Sequence, residues 1–338
     1  MLSKNIVFTD VNCARLLEEP VRELKDDEVL VRLAVSSVSA GTERALLTGS
    51  RSVSWNRPES EKAIFPRRTG YSSAGTVEQV GAAVTGIAPG DRVALSWSTY
   101  SQHAVISQKN VYPIGDIDFA DAALFHIASF PLAAIRKCRL EIGESAIVMG
   151  MGMLGMIAVQ LLRAAGAAPV IAVDPDAGKR EKALRSGADF ALDPYGEDFS
   201  ETVKRITGGG ANVGIEVTGV GAGLNGILDC MARFGRVALL GCTRDSDFTV
   251  DYYRKVHGPG ITLIGAHTMA RPQCDSRDGW WSQHDDMRAL TNLSRMERLH
   301  LSRLVDEVHT PEAAPEVYTR LATQKVFPLV QFDWREME

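Results

Sequence analysis

The hexapeptide Gly150-Met151-Gly152-Met153-Leu154-Gly155 follows an apolar run over residues 145–149 and leads into a segment where Ala158, Leu161, Leu162 and Ala165 recur at helical spacing. Alone, a G-x-G-x-x-G pattern constrains little. At a strand-to-helix turn it restricts the chain to a few folds, because each glycine then has a task. Gly150 permits the tight turn, Gly152 lets the backbone approach a pyrophosphate, and Gly155 allows close packing of helix on sheet. The start of the helix presents unpaired N–H groups and a positive dipole end to phosphate. A second apolar run, 170–173, ends in Asp174, about 20 residues beyond the glycines, where a carboxylate can accept hydrogen bonds from both ribose hydroxyls. A carboxylate there repels a 2′-phosphate, so the expected cofactor is NAD rather than NADP, a preference that the neighbouring Lys179 and Arg180 would soften. Met153, Leu154, Arg180, Thr218, Gly241 and Cys242 are expected to complete the cofactor site. The bland reading is a glycine-rich packing turn followed by an ordinary surface Asp.

Around this motif, short apolar runs recur at 146–149, 170–173, 213–217, 237–240 and 261–264. Their continuous hydrophobicity implies strands covered on both faces, hence a βαβ array and a doubly wound parallel sheet of the Rossmann kind. The first third reads differently. Residues 28–35 alternate, with Val29, Val31, Leu33 and Val35 on one face, as a half-buried strand would. Further β segments follow at 75–80 and 92–95, the latter launched by Pro89-Gly90-Asp91. Beyond 265 comes a stretch rich in Trp, Arg and Asp (271–286), then a helical pattern with Met287, Leu290 and Leu293, and a run at 326–330 that could return to the β-rich part as a strand. The fold class is therefore α/β, with a β-rich domain over 1–126, a Rossmann nucleotide domain over 127–264 and a return to the first domain over 265–338.

With 338 residues the chain exceeds what one compact core usually holds, and its formal charge of -5 offers neither nucleic acid nor an anionic membrane an excess of cations. Five scattered cysteines, Cys13, Cys138, Cys230, Cys242 and Cys274, are odd in number and form no C-x-x-C pair. They suggest no disulfide framework and a reducing compartment. With no apolar leader at the first residues, cytoplasm is the expected location. The expected partners are a small-molecule substrate and, because edge strands of such sheets commonly pair across a two-fold axis, a second copy in a homodimer.

Three blocks precede the nucleotide motif: Ser39-Ala40-Gly41-Thr42-Glu43, Gly70-Tyr71-Ser72-Ser73-Ala74-Gly75 and Pro89-Gly90-Asp91-Arg92-Val93. In order and approximate spacing the chain resembles the medium-chain dehydrogenase/reductase family over nearly its whole length. That resemblance implies a GroES-like β-rich catalytic domain followed by a Rossmann domain. Zinc-dependent members hold the catalytic metal through a Cys, a His and a later Cys or Glu. At the matching positions this sequence has Ala40, Tyr71 and His126, with Ser72 in place of the Glu that follows the His. One imidazole cannot hold the ion, and no thiolates fall between Asp91 and His103 for a structural zinc. The expectation is no metal, and a likeness to the zinc-free subgroup that includes bacteriochlorophyllide hydroxyethyl dehydrogenase.

Oxidising an alcohol requires loss of the hydroxyl proton as hydride leaves the same carbon, and without zinc a positioned general base and donors must do that work. The resemblance puts His126 and Tyr71 at former ligand positions and Thr42 at a hydroxyl position that relays the proton. His126 is thus the candidate base and Tyr71 the donor. Glu43 would orient Thr42 or bind substrate hydroxyls, with Ser72, Trp280 and Trp281 as further substrate contacts. The implied activity is secondary alcohol/ketone interconversion on a polyol, sugar derivative or larger hydroxylated metabolite. The alternatives are a zinc-free enoyl or quinone reductase and a non-catalytic nucleotide-binding protein. Each residue also has a plainer role: core packing for His126 and Tyr71, a helix N-cap for Thr42, and core or subunit contact for the adjacent tryptophans, of which one would face inward.

Overall fold

The computed structural model describes residues 1–50, 63–272, 275–277 and 279–337; Cys274 lies outside the described residues. The chain divides into two units, Met1–Ile127 with Leu301–Glu338, and Ala128–His300. The boundary falls inside the helix Phe125–Lys137. Residues 265–300, which the sequence pattern assigned to the return, belong to the second unit, and the return begins at Leu301. The reason is an ion-pair cluster: Asp286, on the helix Gln283–Arg295, is fully buried and pairs with Arg136 and Arg271.

In the second unit six parallel strands lie in the order Phe190–Leu192, Val170–Val173, Ala146–Met149, Ala211–Glu216, Met231–Leu239 and Thr262–Gly265. The chain runs outward from Ala146–Met149 on one side, then jumps back to Ala211–Glu216 on the other. The carboxyl ends of these two strands therefore flank the topological switch point, where α/β sheets of this order open a ligand crevice. Ile147, Val148, Ile171 and Ala172 are fully buried, as strands covered on both faces require.

In the first unit the strand Glu28–Ser37 is the hub of a seven-stranded sheet, pairing with Ser72–Val80, His103–Ser107 and Val330–Asp333. It is buried on both faces rather than one, and only Arg32 is exposed. Its alternation reflects Arg32 alone, since Leu30 and Ala34, on the supposed outer face, are also buried. A smaller sheet sets Leu2–Asp10 between Cys13–Pro20 and Arg67–Arg68. Phe8, Leu33, Leu95, Tyr318, Phe332 and Trp334 share one core. Of the run at 326–330 expected as a returning strand only Val330 is in one: the strand is Val330–Asp333, antiparallel to Glu28–Ser37.

At the start of the hub strand, Arg22 donates to both carboxylate oxygens of Glu28, at 2.6 and 2.7 Å, and the Lys25 N–H adds a third bond at 3.0 Å. Chiefly through Arg22, these bonds hold the Glu28 carboxyl at about 2, below its ordinary 4.5. A depressed carboxyl pKa contributes stability above 4.5 that is lost as pH falls toward 2. Glu28→Gln is therefore expected to shrink the fall in urea midpoint between neutral and strongly acidic buffer. An equal fall in both proteins would contradict the assignment.

Candidate functional sites

In the second unit the glycine-rich loop sits between Ala146–Met149 and the helix Met153–Ala164, whose N-cap is Gly152. Gly150 has φ +102°, and a Cβ there would meet Thr218 Cγ2 at 2.9 Å. A Cβ on Gly155 would lie 1.9 Å from the Gly150 carbonyl oxygen, so the helix closes on the loop only because that residue has no side chain. At Gly152 an added Cβ meets nothing within 4 Å, and the backbone faces open space. Each glycine thus has the geometry its expected task needs. Gly155→Val is expected to abolish NADH binding in a fluorescence titration, whereas retained affinity would show that the loop does not carry the pyrophosphate.

Asp174 is 6% exposed and follows directly on the strand Val170–Val173. Its carboxylate accepts from the Met151 N–H at 2.8 Å and the Asp176 N–H at 2.9 Å, with Lys179 Nζ 3.8 Å away. A carboxylate offers about four lone-pair positions, so capacity for two ribose hydroxyls remains. Arg180 turns away from this role: its Nη1 donates to the carbonyls of Asp174 and Pro175 at 2.7 and 2.8 Å and to Asp193 at 3.2 Å. These bonds fix one edge of the guanidinium at the strand end and use Nη1 alone.

Thr218 and Gly241 come together at the carboxyl ends of the next two strands. Buried Glu216 accepts from the Thr218 N–H at 2.7 Å and from the Thr218 hydroxyl, and a Cβ on Gly241 would lie 2.4 Å from the Gly219 nitrogen. Met153 and Leu154 form the first turn of the glycine-loop helix. Cys242 is exposed. Trp280 and Trp281 also belong to the second unit, and both are exposed, at 41% and 43%, so neither faces inward as their adjacency suggested. Arg136 lies over the Trp281 ring at 4.5 Å and Lys137 over Trp280 at 5.6 Å.

In the first unit three aromatic rings gather. His126, in the first turn of Phe125–Lys137, stands edge-on to Tyr71 at 5.6 Å and to Trp97 at 4.6 Å between centroids. The backbone sets this up: the Trp97 N–H donates to the Tyr71 carbonyl at 2.8 Å, extending the pairing of Ser72–Val80 with Arg92–Ser96 by one bond. Trp97 adopts φ +64°, strained for a bulky residue, and is 43% exposed. Sequence reasoning missed it; the only available signal was an aromatic residue between two serines directly after a buried strand.

The half-buried Tyr71 donates its hydroxyl to Ser39 Oγ, and Ser39 precedes the helix Ala40–Leu47. Thr42 is half-buried in the first turn of that helix and does not cap it. His126 is 0% exposed. The expectation that its imidazole meets substrate is corrected: in this conformation the indole of Trp97 and the phenol of Tyr71 lie against it.

Two further assignments change for the same reason. Glu43 is fully buried, accepting from the Ser39 N–H at 2.7 Å, the Tyr100 hydroxyl at 2.7 Å and the Tyr318 hydroxyl at 2.5 Å. Burial raises its carboxyl pKa while these donors oppose the rise. It anchors Ala40–Leu47 to the core and does not reach a substrate. Ser72, also fully buried, donates to the Ala123 carbonyl at 2.6 Å. Tyr100 and Tyr318, the partners of Glu43, lie far from it in sequence, and no local pattern marked them.

Two family models match the chain: the alcohol dehydrogenase GroES-like domain over residues 25–116 and the zinc-binding dehydrogenase family over residues 154–276. The chain is 27% identical to D-guloside 3-dehydrogenase of Escherichia coli (strain K12), covering 95% of this chain and 96% of that protein. It is 26% identical to L-threonine 3-dehydrogenase of Pyrococcus horikoshii, covering 75% and 79%. Among solved structures, galactitol-1-phosphate dehydrogenase from Escherichia coli superposes with a TM-score of 0.83 over 98% of this chain and 99% of that one, at 18% identity, a likeness of fold.

Proposed function

Because this chain belongs to the alcohol dehydrogenase-like, medium-chain dehydrogenase/reductase superfamily, we propose that it is a zinc-independent, NAD(H)-dependent oxidoreductase interconverting a secondary alcohol and a ketone on a polyol or sugar derivative. The observation that carries this reading is Tyr71, a half-buried phenol tied to Ser39 at a position where zinc-dependent relatives place a metal ligand.

Zinc needs about four N, S or O donors in tetrahedral array. The matching positions hold Ala40, Tyr71 and His126, of which only one is a good ligand. Among the described residues no group of three or more His, Cys, Asp or Glu could hold a metal. The donor set does not fit zinc. The residues for a dinucleotide do fit: Gly150, Gly152 and Gly155 would carry its pyrophosphate and Asp174 its adenosine ribose. When bound, NAD supplies the hydride acceptor.

Tyr71 holds and moves the proton at the substrate oxygen. In the reduction direction its hydroxyl gives its proton to the carbonyl oxygen as hydride reaches the carbon, and the phenolate is reprotonated from solvent through the Ser39 hydroxyl, which takes one proton from water as it passes one on. In oxidation the same hydrogen bonds run in reverse. Trp97 packs beside the phenol, and the buried His126, in edge contact with both rings, braces them. D-guloside 3-dehydrogenase of Escherichia coli, which matches 95% of this chain, is named as a dehydrogenase of a sugar derivative, which supports a hydroxylated sugar-like substrate.

The test is turnover of a polyol and sugar panel followed at the nicotinamide absorbance with NAD and with NADP. The expected result is activity with a marked NAD preference, for which the Asp174 carboxylate is the cause. A clear NADP preference would remove the cofactor assignment, and silence on every alcohol with tight NAD binding would favour a non-catalytic nucleotide binder.

A further inference from the structure

We propose that the second unit carries a separate recognition site for an anionic group, a phosphate or a carboxylate borne by the substrate, built from Arg136, Lys137, Arg271 and Arg277 around Trp280 and Trp281. This deepens the dehydrogenase reading and rests on it for the word substrate.

An open hollow of about 430 Å³, within the range of roughly 300–1,000 Å³ usual for small-molecule sites, is lined by Arg271, Pro272, Asp275, Arg277 and Trp280. A tighter recess beside it shares Arg271, Pro272 and Trp280 and adds Arg136, Lys137 and Trp281. Four cations thus face one lining carboxylate, in a chain whose formal net charge is -5. The buried Asp286 offsets part of this charge, pairing with Arg136 at 2.6 Å and Arg271 at 2.9 Å. It also fixes both guanidinium groups in place. Arg271, whose side chain is 5% exposed, is held further by Gln283 Oε1 at 3.0 Å.

Lys137 and Arg277 lie over the Trp280 ring at 5.6 and 5.8 Å, and Arg136 lies over Trp281 at 4.5 Å. Indoles beside cations displace water and strengthen their field toward an incoming anion. The positive field registers on neighbouring groups. Lys137 is held below its ordinary pKa by burial and then by Arg271, and His267 by burial and then by Lys137.

The location favours a substrate contact over a purely structural clamp. Lys137 Nζ donates at 2.9 Å to the carbonyl of Gly265, the last residue of the strand Thr262–Gly265. Through the registers Leu239 with Gly265, Glu216 with Leu239 and Met149 with Glu216, that residue is level with the strand end leading into the glycine-rich loop. The cationic pocket therefore lies along the carboxyl-terminal edge of the sheet, the edge that binds ligands in this architecture.

Calorimetric titration of the full chain with inorganic phosphate at low ionic strength tests the site. The Lys137→Gln/Arg277→Gln double variant keeps Asp286 and its two partners and gives up only the Lys137 bond to the Gly265 carbonyl and two cation contacts with Trp280, so it should remain folded, with a thermal unfolding midpoint within a few degrees of wild type. Its phosphate affinity should fall about tenfold or more, as expected for losing charge-assisted contacts. The comparison also separates this pocket from the glycine-rich loop, which both proteins share. Sodium gluconate in the same titration distinguishes a carboxylate from a phosphate preference. In turnover, kcat/KM for a hexitol monophosphate or a hexonate should exceed that for the neutral hexitol, and the ratio should collapse in the variant. Equal phosphate affinity in the two proteins, or no uptake by either, overturns the site. Uptake lost in the variant, with no alcohol oxidised by wild type, would leave the anion site standing and remove the dehydrogenase reading instead.

Discussion

Tyr71→Phe is expected to lower kcat by about 10²–10⁴-fold, the range for removing a general acid–base group, while NADH affinity changes by less than about twofold. The substitution removes one hydroxyl and leaves the ring against Trp97 and His126 at 6.1 and 5.6 Å, so packing survives and only proton exchange is lost. His126→Ala should cost less in kcat than Tyr71→Phe, because the imidazole is 0% exposed and acts through the rings it braces. Ser39→Ala should fall between them and shift the pH profile, since it breaks the link to Tyr71 without touching the reacting oxygen. Steady-state kinetics on the four proteins decides the order. If His126→Ala proved the most damaging, the imidazole would have to reach substrate by displacing Trp97.

The largest expected effect on stability is at Glu43. Glu43→Ala strips the acceptor from the Tyr318 hydroxyl and the Ser39 N–H, while the Tyr100 hydroxyl keeps the Ser37 carbonyl. Each buried polar group left unsatisfied costs about 1–3 kcal/mol, so a loss of about 2–4 kcal/mol is expected, allowing for partial relaxation and the cavity. Glu43→Gln keeps an acceptor oxygen and should cost less. Urea unfolding of the two variants measures the difference. A Glu43 that oriented Thr42 or bound substrate hydroxyls, as its place beside Thr42 suggested, would instead leave both variants near wild-type stability.

The contrast between these two residues explains what the sequence could convey. The strand, glycine loop and helix of the proposed nucleotide site were legible because they are local: they and Asp174 fall within one stretch, and their spacing encodes their geometry. The strands Ala146–Met149 and Val170–Val173 match their apolar runs residue for residue, since burial on both faces leaves no ambiguity of phase. The β-rich unit was legible only in outline. Glu28–Ser37 reads as half-exposed because of Arg32, and nothing in its neighbourhood announces that strands from three distant stretches will enclose it.

Assignments in the first unit changed where burial decides: Glu43, Ser72 and His126 are each turned inward by partners remote in sequence, Tyr318 for Glu43, Ala123 for Ser72 and Trp97 for His126. Arg180 has its Nη1 tied to nearby backbone carbonyls, a competition that residue type does not reveal.

Proton transfer by Tyr71 in place of a metal is most directly tested by measuring the metal content of active enzyme, together with its NAD-linked alcohol oxidation before and after exhaustive chelation. The expected result is substoichiometric zinc and unchanged turnover. One equivalent of tightly held transition metal, with activity lost on chelation and restored by adding it back, would contradict the account.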